Sequence, residues 1–331
     1  MTRRFALLAA VLVLAACASD KAATDPAKDA PEEGETKLVA KPSESPAEVR
    51  KREQRLNQTL MDIDRRVDRF VLLASQPGED ARTERALLAP ALKAQVAEFK
   101  PDLLRMIADP ENEQRRRVAA KALAFSDDPA AVTALVKVLG ERDTALVTNA
   151  TYALGRIQSP ATPAEPLLAL VRHSDNDIRG NALMALWHVF DAKSKLGGSP
   201  LDPVAQREAM SILEVALFDM GDPIIRANAA AAVGALGDPR GVDSLLNLLQ
   251  DDHPLVRTQT AIALGKLGDP KAIPALVKVI DTTPRGTPRS AVCLSLSSLC
   301  EKQGLRVPAN IGDEGRVWER FVRDEFVPRQ D

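Results

Sequence analysis

Across residues 80–300 apolar positions return at helical intervals, and the pattern itself repeats. The run Arg226-Ala-Asn-Ala-Ala-Ala-Ala-Val-Gly-Ala-Leu-Gly-Asp-Pro239 recurs 31 residues later as Arg257-Thr-Gln-Thr-Ala-Ile-Ala-Leu-Gly-Lys-Leu-Gly-Asp-Pro270. The same frame fits Arg116, Val147, Arg179 and Arg289, with successive gaps of 31, 32, 47, 31 and 32 residues. The long gap carries about 15 extra residues.

Each unit reads as two helices, A and B. An acid stands just before helix A as its cap in Asp175-Asn-Asp-Ile-Arg179, Asp222-Pro-Ile-Ile-Arg226 and Asp252-His-Pro-Leu-Val-Arg257. Gly234 and Gly265 lie inside helix A, where a small residue admits a neighbouring helix; Gly237 and Gly268 end it. Asp238-Pro239 and Asp269-Pro270 then start helix B, the acid as cap and the proline at the first helical position. Helix B carries its own stripe, such as Val242, Leu245, Leu246 and Leu249. One pair cannot bury both its faces, but a stack of pairs can. The expectation is an all-α protein, an α-solenoid of about five to six helix pairs over residues 77–304. Its first, weak unit is expected at about residues 80–110, on Pro101-Asp-Leu-Leu-Arg-Met-Ile.

The flanks have their own patterns. Val49, Leu56, Leu60, Ile63, Val67 and Phe70 follow heptad spacing, with Glu53 at the one polar position. Residues 46–76 read either as a capping helix on the first repeat or as a short coiled coil joining a homodimer. Val317, Trp318, Phe321, Val322 and Phe326 mark residues 305–331 as a C-terminal cap. Residues 18–45 show no apolar periodicity and read as a disordered tether. A flexible coil of that length reaches about 30 Å.

The chain starts with two arginines, Arg3 and Arg4, and a 12-residue apolar run, Phe5–Ala16. That is the layout of a signal peptide, too short to span a bilayer. The run ends in Leu14-Ala15-Ala16-Cys17, which resembles the bacterial lipobox. The resemblance implies cleavage before Cys17 and acylation of Cys17, hence a membrane anchor facing the periplasm of the cell envelope. Ala18 stands where Asp would favour inner-membrane retention, so the outer membrane is favoured. Processing removes two basic residues and leaves 42 basic against 46 acidic, a net charge of −4. Such a balance, with 3% aromatic residues, argues against a nucleic-acid partner. Cys293 and Cys300 are about 10 Å apart along a helix, too far for a disulfide, and read as buried thiols.

The repeated Leu-Gly-Asp-Pro motif makes the array similar to HEAT repeats of the phycobilisome-lyase subtype. In that family helix B usually lines the concave face. Arg105, Lys137, Asn247 and Lys278 hold nearly equivalent helix B positions and are the candidate partner-binding residues of the groove. Trp187 joins them, because it replaces the glycine of other units and precedes the insertion Asp191–Pro203. Two readings stand for Trp187, partner binding or filling of the volume left by the longer connection. Arg179, Arg226, Arg257 and Arg289 read as structural, pairing with acids between stacked repeats.

Chemistry is scarce. None of His173, His188 and His253 precedes a glutamate, so the His-Glu pairs of HEAT-type di-iron hydroxylases are missing. No catalytic motif, metal site or cofactor is expected. His173 and His253 fall in turns, and His188 in helix A packing. The expected function is a non-enzymatic, membrane-anchored scaffold for a protein partner. An oligomeric structural part built through the Val49–Phe70 seam is the alternative, and a lyase follows only from family analogy.

Overall fold

The computed structural model describes residues 45–76 and 78–326, the side chains of Pro46 and Val49 excepted. The expected signal peptide, Cys17 and the expected tether lie outside the described residues. Among the described residues the fold is all helical, with fourteen α-helices and no strand. They are α1 Pro46–Leu73, α2 Glu79–Ala108, α3 Glu113–Ala122, α4 Pro129–Lys137, α5 Thr144–Ile157, α6 Glu165–Leu170 and α7 Asn176–Ser194. The chain continues with α8 Pro203–Leu217, α9 Pro223–Leu236, α10 Val242–Leu248, α11 Pro254–Leu267, α12 Ala272–Val279, α13 Thr287–Lys302 and α14 Gly315–Glu325.

The odd-numbered helices α3 to α13 form one row, each packed on the next, and the even-numbered helices lie behind them against the following member of that row. The two rows differ in width. Neighbours in the odd row meet backbone to backbone, whereas α8, α10 and α12 touch one another only sparsely. Composition explains the asymmetry. Twelve of the fourteen residues of α9 are buried, half of them alanine, so the helix is covered nearly all round. A methyl group added at Gly234 would lie 2.6 Å from Cα of Ala263 on α11, and one at Gly265 would lie 2.8 Å from Cβ of Ser295 on α13. Glycine is what lets these backbones approach.

Local caps hold each pair in register. Asp175, Asp222 and Asp143 accept main-chain N–H bonds at the starts of α7, α9 and α5. At α11 the cap is not Asp252 but His253, whose imidazole accepts from Leu255 N–H at 3.3 Å. Pro254 at the first helical position sets the boundary there, leaving Asp252 one residue too early. Gly237 and Gly268 close α9 and α11 at φ of 74° and 83°, in the left-handed region. Asp238 and Asp269 cap short turns rather than helix B itself, and α10 and α12 begin only at Val242 and Ala272.

The ends depart from the expected plan. Residues 79–108 are one 30-residue helix running through Pro90 and Pro101, not a helix pair. Its companion is α1, capped by Ser45 and Glu48 in a reciprocal box. Leu60, Ile63, Val67 and Phe70 are at most 6% exposed, and α1 packs on α2 and α3. The Leu60–Phe70 part of the stripe is therefore covered within one chain, while Leu56 is half-buried. At the far end α14 packs on α12, with Trp318 buried and its indole N–H donating to Gly312 O at 3.1 Å. Cys293 and Cys300 are buried free thiols. Burial raises the pKa of both, that of Cys300 to about 11.

Candidate functional site: a groove along the A helices

Two sets of polar bonds fix the spacing of the A helices. The first is an arginine clamp. Arg226 reaches forward to Asp251 with two bonds of 2.7 and 3.0 Å and back to Asp219 O at 2.8 Å. It thereby ties the turn before α9 to the turn before α11. Arg116 does the same with Glu141 and Ile107 O, and Arg179 with Asp219 and His173 O. Arg257 and Arg289 use main-chain carbonyls, those of Asp251, Asp252 and Thr282 for Arg257 and those of Asp281 and Thr283 for Arg289. The acid that answers the clamp stands at the end of helix B, not at the cap of helix A. The second set is an amide ladder. Asn149, Asn181 and Asn228 donate to the main-chain oxygens of Arg117, Thr148 and Gly180 on the preceding A helix, at 2.9, 3.4 and 3.0 Å. Each lies two residues after its anchor, a recurrence that was open to view in the sequence. Each buried amide bond is worth about 1 kcal/mol net, and more is lost if its acceptor is stranded.

On the scaffold so held, a groove of about 630 Å³ crosses α7, α9, α11 and α13. Small residues form its floor, among them Gly234, Ala235, Gly265, Ala291 and Ser295. Ile262 and Leu294 project into it, and Leu294 is 69% exposed. Asp191, Lys266 and Lys302 stand at its rim. These charges are matched. Asp191 accepts from Lys266 at 2.6 Å and pairs with Lys195 at 2.8 Å. Lys302 donates to Gly265 O at 3.0 Å across the α11–α13 junction.

The helix B candidates lie elsewhere. Lys137, Asn247 and Lys278 are exposed on α4, α10 and α12, in the outer, B-helix row, and do not line this groove. Arg105 lies near the end of α2 and pairs with Asp102. This groove forms on the A-helix row because its glycine and alanine positions carry little side-chain volume. The insertion also differs from a loop. Asp191–Ser194 continue α7, and α8 extends to fifteen residues, so only residues 195–202 connect the two. Trp187 is 9% exposed and stacks on His188 with ring centres 4.4 Å apart. It is a packing residue beside the groove rather than an exposed contact.

His188 is 7% exposed, and burial pulls its pKa down from 6.5 to about 4, against the attraction of Asp191. The folded chain therefore holds it neutral. Above pH 6.5 the folded and unfolded chains agree in charge at this site; as pH falls toward 4 only the unfolded chain takes up the proton. Stability should drop by about 2–3 kcal/mol between pH 7.5 and 4.5 from this group alone. Urea unfolding at both pH values should show a smaller difference for His188→Gln. An identical difference in the two proteins would refute the assignment.

Among the described residues no group of three or more His, Cys, Asp or Glu side chains could hold a metal ion, and no helix is long and apolar enough to cross a membrane. The family model for HEAT repeats matches residues 100–187 and 211–297, more than half of the chain. The chain belongs to the HEAT-repeat family. A search of curated proteins found no match. Among solved structures, an engineered protein aligns at a TM-score of 0.47 and 19% identity, covering 61% of this chain and 97% of its own. A designed armadillo repeat protein in complex with a (KR)4 peptide aligns at 0.46 and 17%, covering 60% and 98%. The phycocyanin lyase complex from Nostoc sp. aligns at 0.41 and 16%, covering 89% and 99%. Likenesses of this size carry no statement about activity. A HEAT-repeat solenoid in itself suggests a protein-binding scaffold.

Proposed function

We propose that this HEAT-repeat protein is a non-enzymatic scaffold that holds a protein partner in the groove along its A helices, anchored to a bacterial envelope membrane through acylated Cys17. The observation that carries the reading is the groove itself. It offers an apolar floor across four successive A helices, an exposed Leu294, and rim groups already bonded within the chain. A partner segment with an apolar stripe buries Leu294 and Ile262 without stranding a charge, which favours association. The signal sequence and lipobox support the location, and acyl chains add about 0.8 kcal/mol of membrane affinity per buried CH₂.

One experiment covers both parts. Tagged chains are expressed in a diderm bacterium, fractionated, and used to capture partners from detergent extracts. Leu294→Arg should lose a partner that Lys278→Glu retains, and Cys17→Ser should leave the membrane fraction while remaining folded. Equal capture by the two groove and outer-row variants contradicts the groove reading. A membrane-bound Cys17→Ser contradicts the anchor.

A further inference from the structure

Most half-buried arginines in this chain reach an acceptor. Arg116, Arg179 and Arg226 meet carboxylates, and Arg257 and Arg289 meet main-chain carbonyls. Arg85 on α2 and Arg156 on α5 are exceptions. The Nε of each is buried with no hydrogen-bond partner, as are those of Arg179 and Arg257, whose terminal nitrogens nonetheless reach acceptors. Among the described residues neither guanidinium forms an ion pair. Acids on α1 and α2 are engaged elsewhere: Glu84 with Arg69, and Asp64 and Asp68 with Lys121.

Both side chains are nonetheless held in place. The Arg156 guanidinium carbon lies 4.3 Å from the centre of the Phe70 ring and 4.2 Å from that of Phe125. That of Arg85 lies 4.4 Å from Phe70, and the two rings meet edge to face at 5.1 Å. Tyr152, one turn before Arg156, neighbours both guanidiniums. Aromatic rings occupy the flat faces of the guanidiniums and leave their N–H edges for an acceptor. Two half-buried cations kept together with no anion are costly. Burial lowers the pKa of both arginines and raises that of Tyr152, which keeps the phenol a protonated donor. A pair of forked donors with a hydroxyl beside them is the donor set that an oxyanion requires.

The position connects the cluster to the groove. Tyr152 and Arg156 hold on α5 the register that Ile262 and Lys266 hold on α11, five and nine residues after the anchors Val147 and Arg257. A segment lying along the groove face of the A helices would pass them. We propose that Arg85 and Arg156, framed by Phe70 and Phe125, bind an oxyanion, namely a side-chain carboxylate of an acidic segment of the protein partner. The identity of the carrier rests on the scaffold reading above; the oxyanion site does not.

The test is calorimetric titration of the full chain at low salt with hexaglutamate peptide, and separately with inorganic phosphate. Hexaglutamate should bind saturably, and the double variant Arg85→Ala with Arg156→Ala should weaken it at least tenfold. Lysine at both positions should restore only part of the affinity, because it lacks the fork. Lys278→Ala, on the outer row, should change nothing. Arg156→Met keeps an apolar stem on the rings, and its thermal midpoint without peptide should equal or exceed that of the parent. Unchanged affinity in the double variant, equal loss in Lys278→Ala, or a lowered midpoint in Arg156→Met with affinity intact overturns the site. Saturable phosphate binding without hexaglutamate binding overturns the peptide carrier. Tighter hexaglutamate binding after deletion of residues 18–44 assigns the site to the chain's own acidic segment and overturns the partner assignment. None of these outcomes depends on Leu294, so failure here and failure of the groove remain separable.

Discussion

Gly234→Ala should destabilise the protein by about 3 kcal/mol, although alanine ordinarily favours a helix over glycine by about 1 kcal/mol. The added methyl group would stand 2.6 Å from Cα and 2.7 Å from Cβ of Ala263. Neither atom is the end of a flexible side chain, so α9 and α11 must separate. Separation loosens their packing and that of the buried side chains on both helices. Gly140→Ala provides the control, since its added methyl group meets nothing within 4 Å. It should shift stability by less than about 0.5 kcal/mol. Thermal and urea unfolding of both variants checks the pair. Hydrogen exchange would localise the effect, because repeat arrays can unfold at one interface first.

Arg226→Ala should cost about 3–4 kcal/mol. The Arg226 and Asp251 side chains are only 17% and 9% exposed, so the substitution strands a nearly buried carboxylate and the carbonyl of Asp219. Burial alone would raise the Asp251 pKa, but hydrogen bonds from Arg226 and the His253 N–H and the charge of Arg226 hold it below the usual carboxylate range. Loss of the arginine reverses that balance. Arg226→Lys should recover less than half of the loss, because an ammonium cannot reproduce the two-pronged bond and the carbonyl contact together. Removing Asp251 as well should relieve part of the penalty, as a double-mutant cycle would show.

The helical repeat, the glycine ends of α9 and α11, and most acid caps were readable in sequence because they depend on neighbours within four residues. The place of the groove was not. Both helices of a unit carry apolar stripes, and the groove follows from how closely the A backbones approach across about 30 residues of sequence. One signal was present: α9 is apolar on nearly every side, the mark of a helix covered nearly all round. The Asn149, Asn181 and Asn228 ladder was visible as a recurrence, but its acceptors are main-chain atoms, which leave no trace in side-chain identity. The insertion misled for another reason. Its Gly197-Gly198 and Pro200 signal a loop, yet the residues before and after them extend α7 and α8. Arg85, Phe70, Phe125 and Arg156 come from four elements, and no local pattern could have joined them.

The central claim is that the A-helix row, not the B-helix row, faces the partner. Site-specific photo-cross-linking tests it most directly, with the reactive side chain placed at Leu294 or Ile262 inside the groove and at Asn247 or Lys278 on the outer row. Cells carrying each variant would be irradiated and the adducts compared by mass. The same partner adduct at Leu294 and Ile262, absent at Asn247 and Lys278, is the expected result. Adducts confined to Asn247 and Lys278 would place the partner on the outer face and contradict the account.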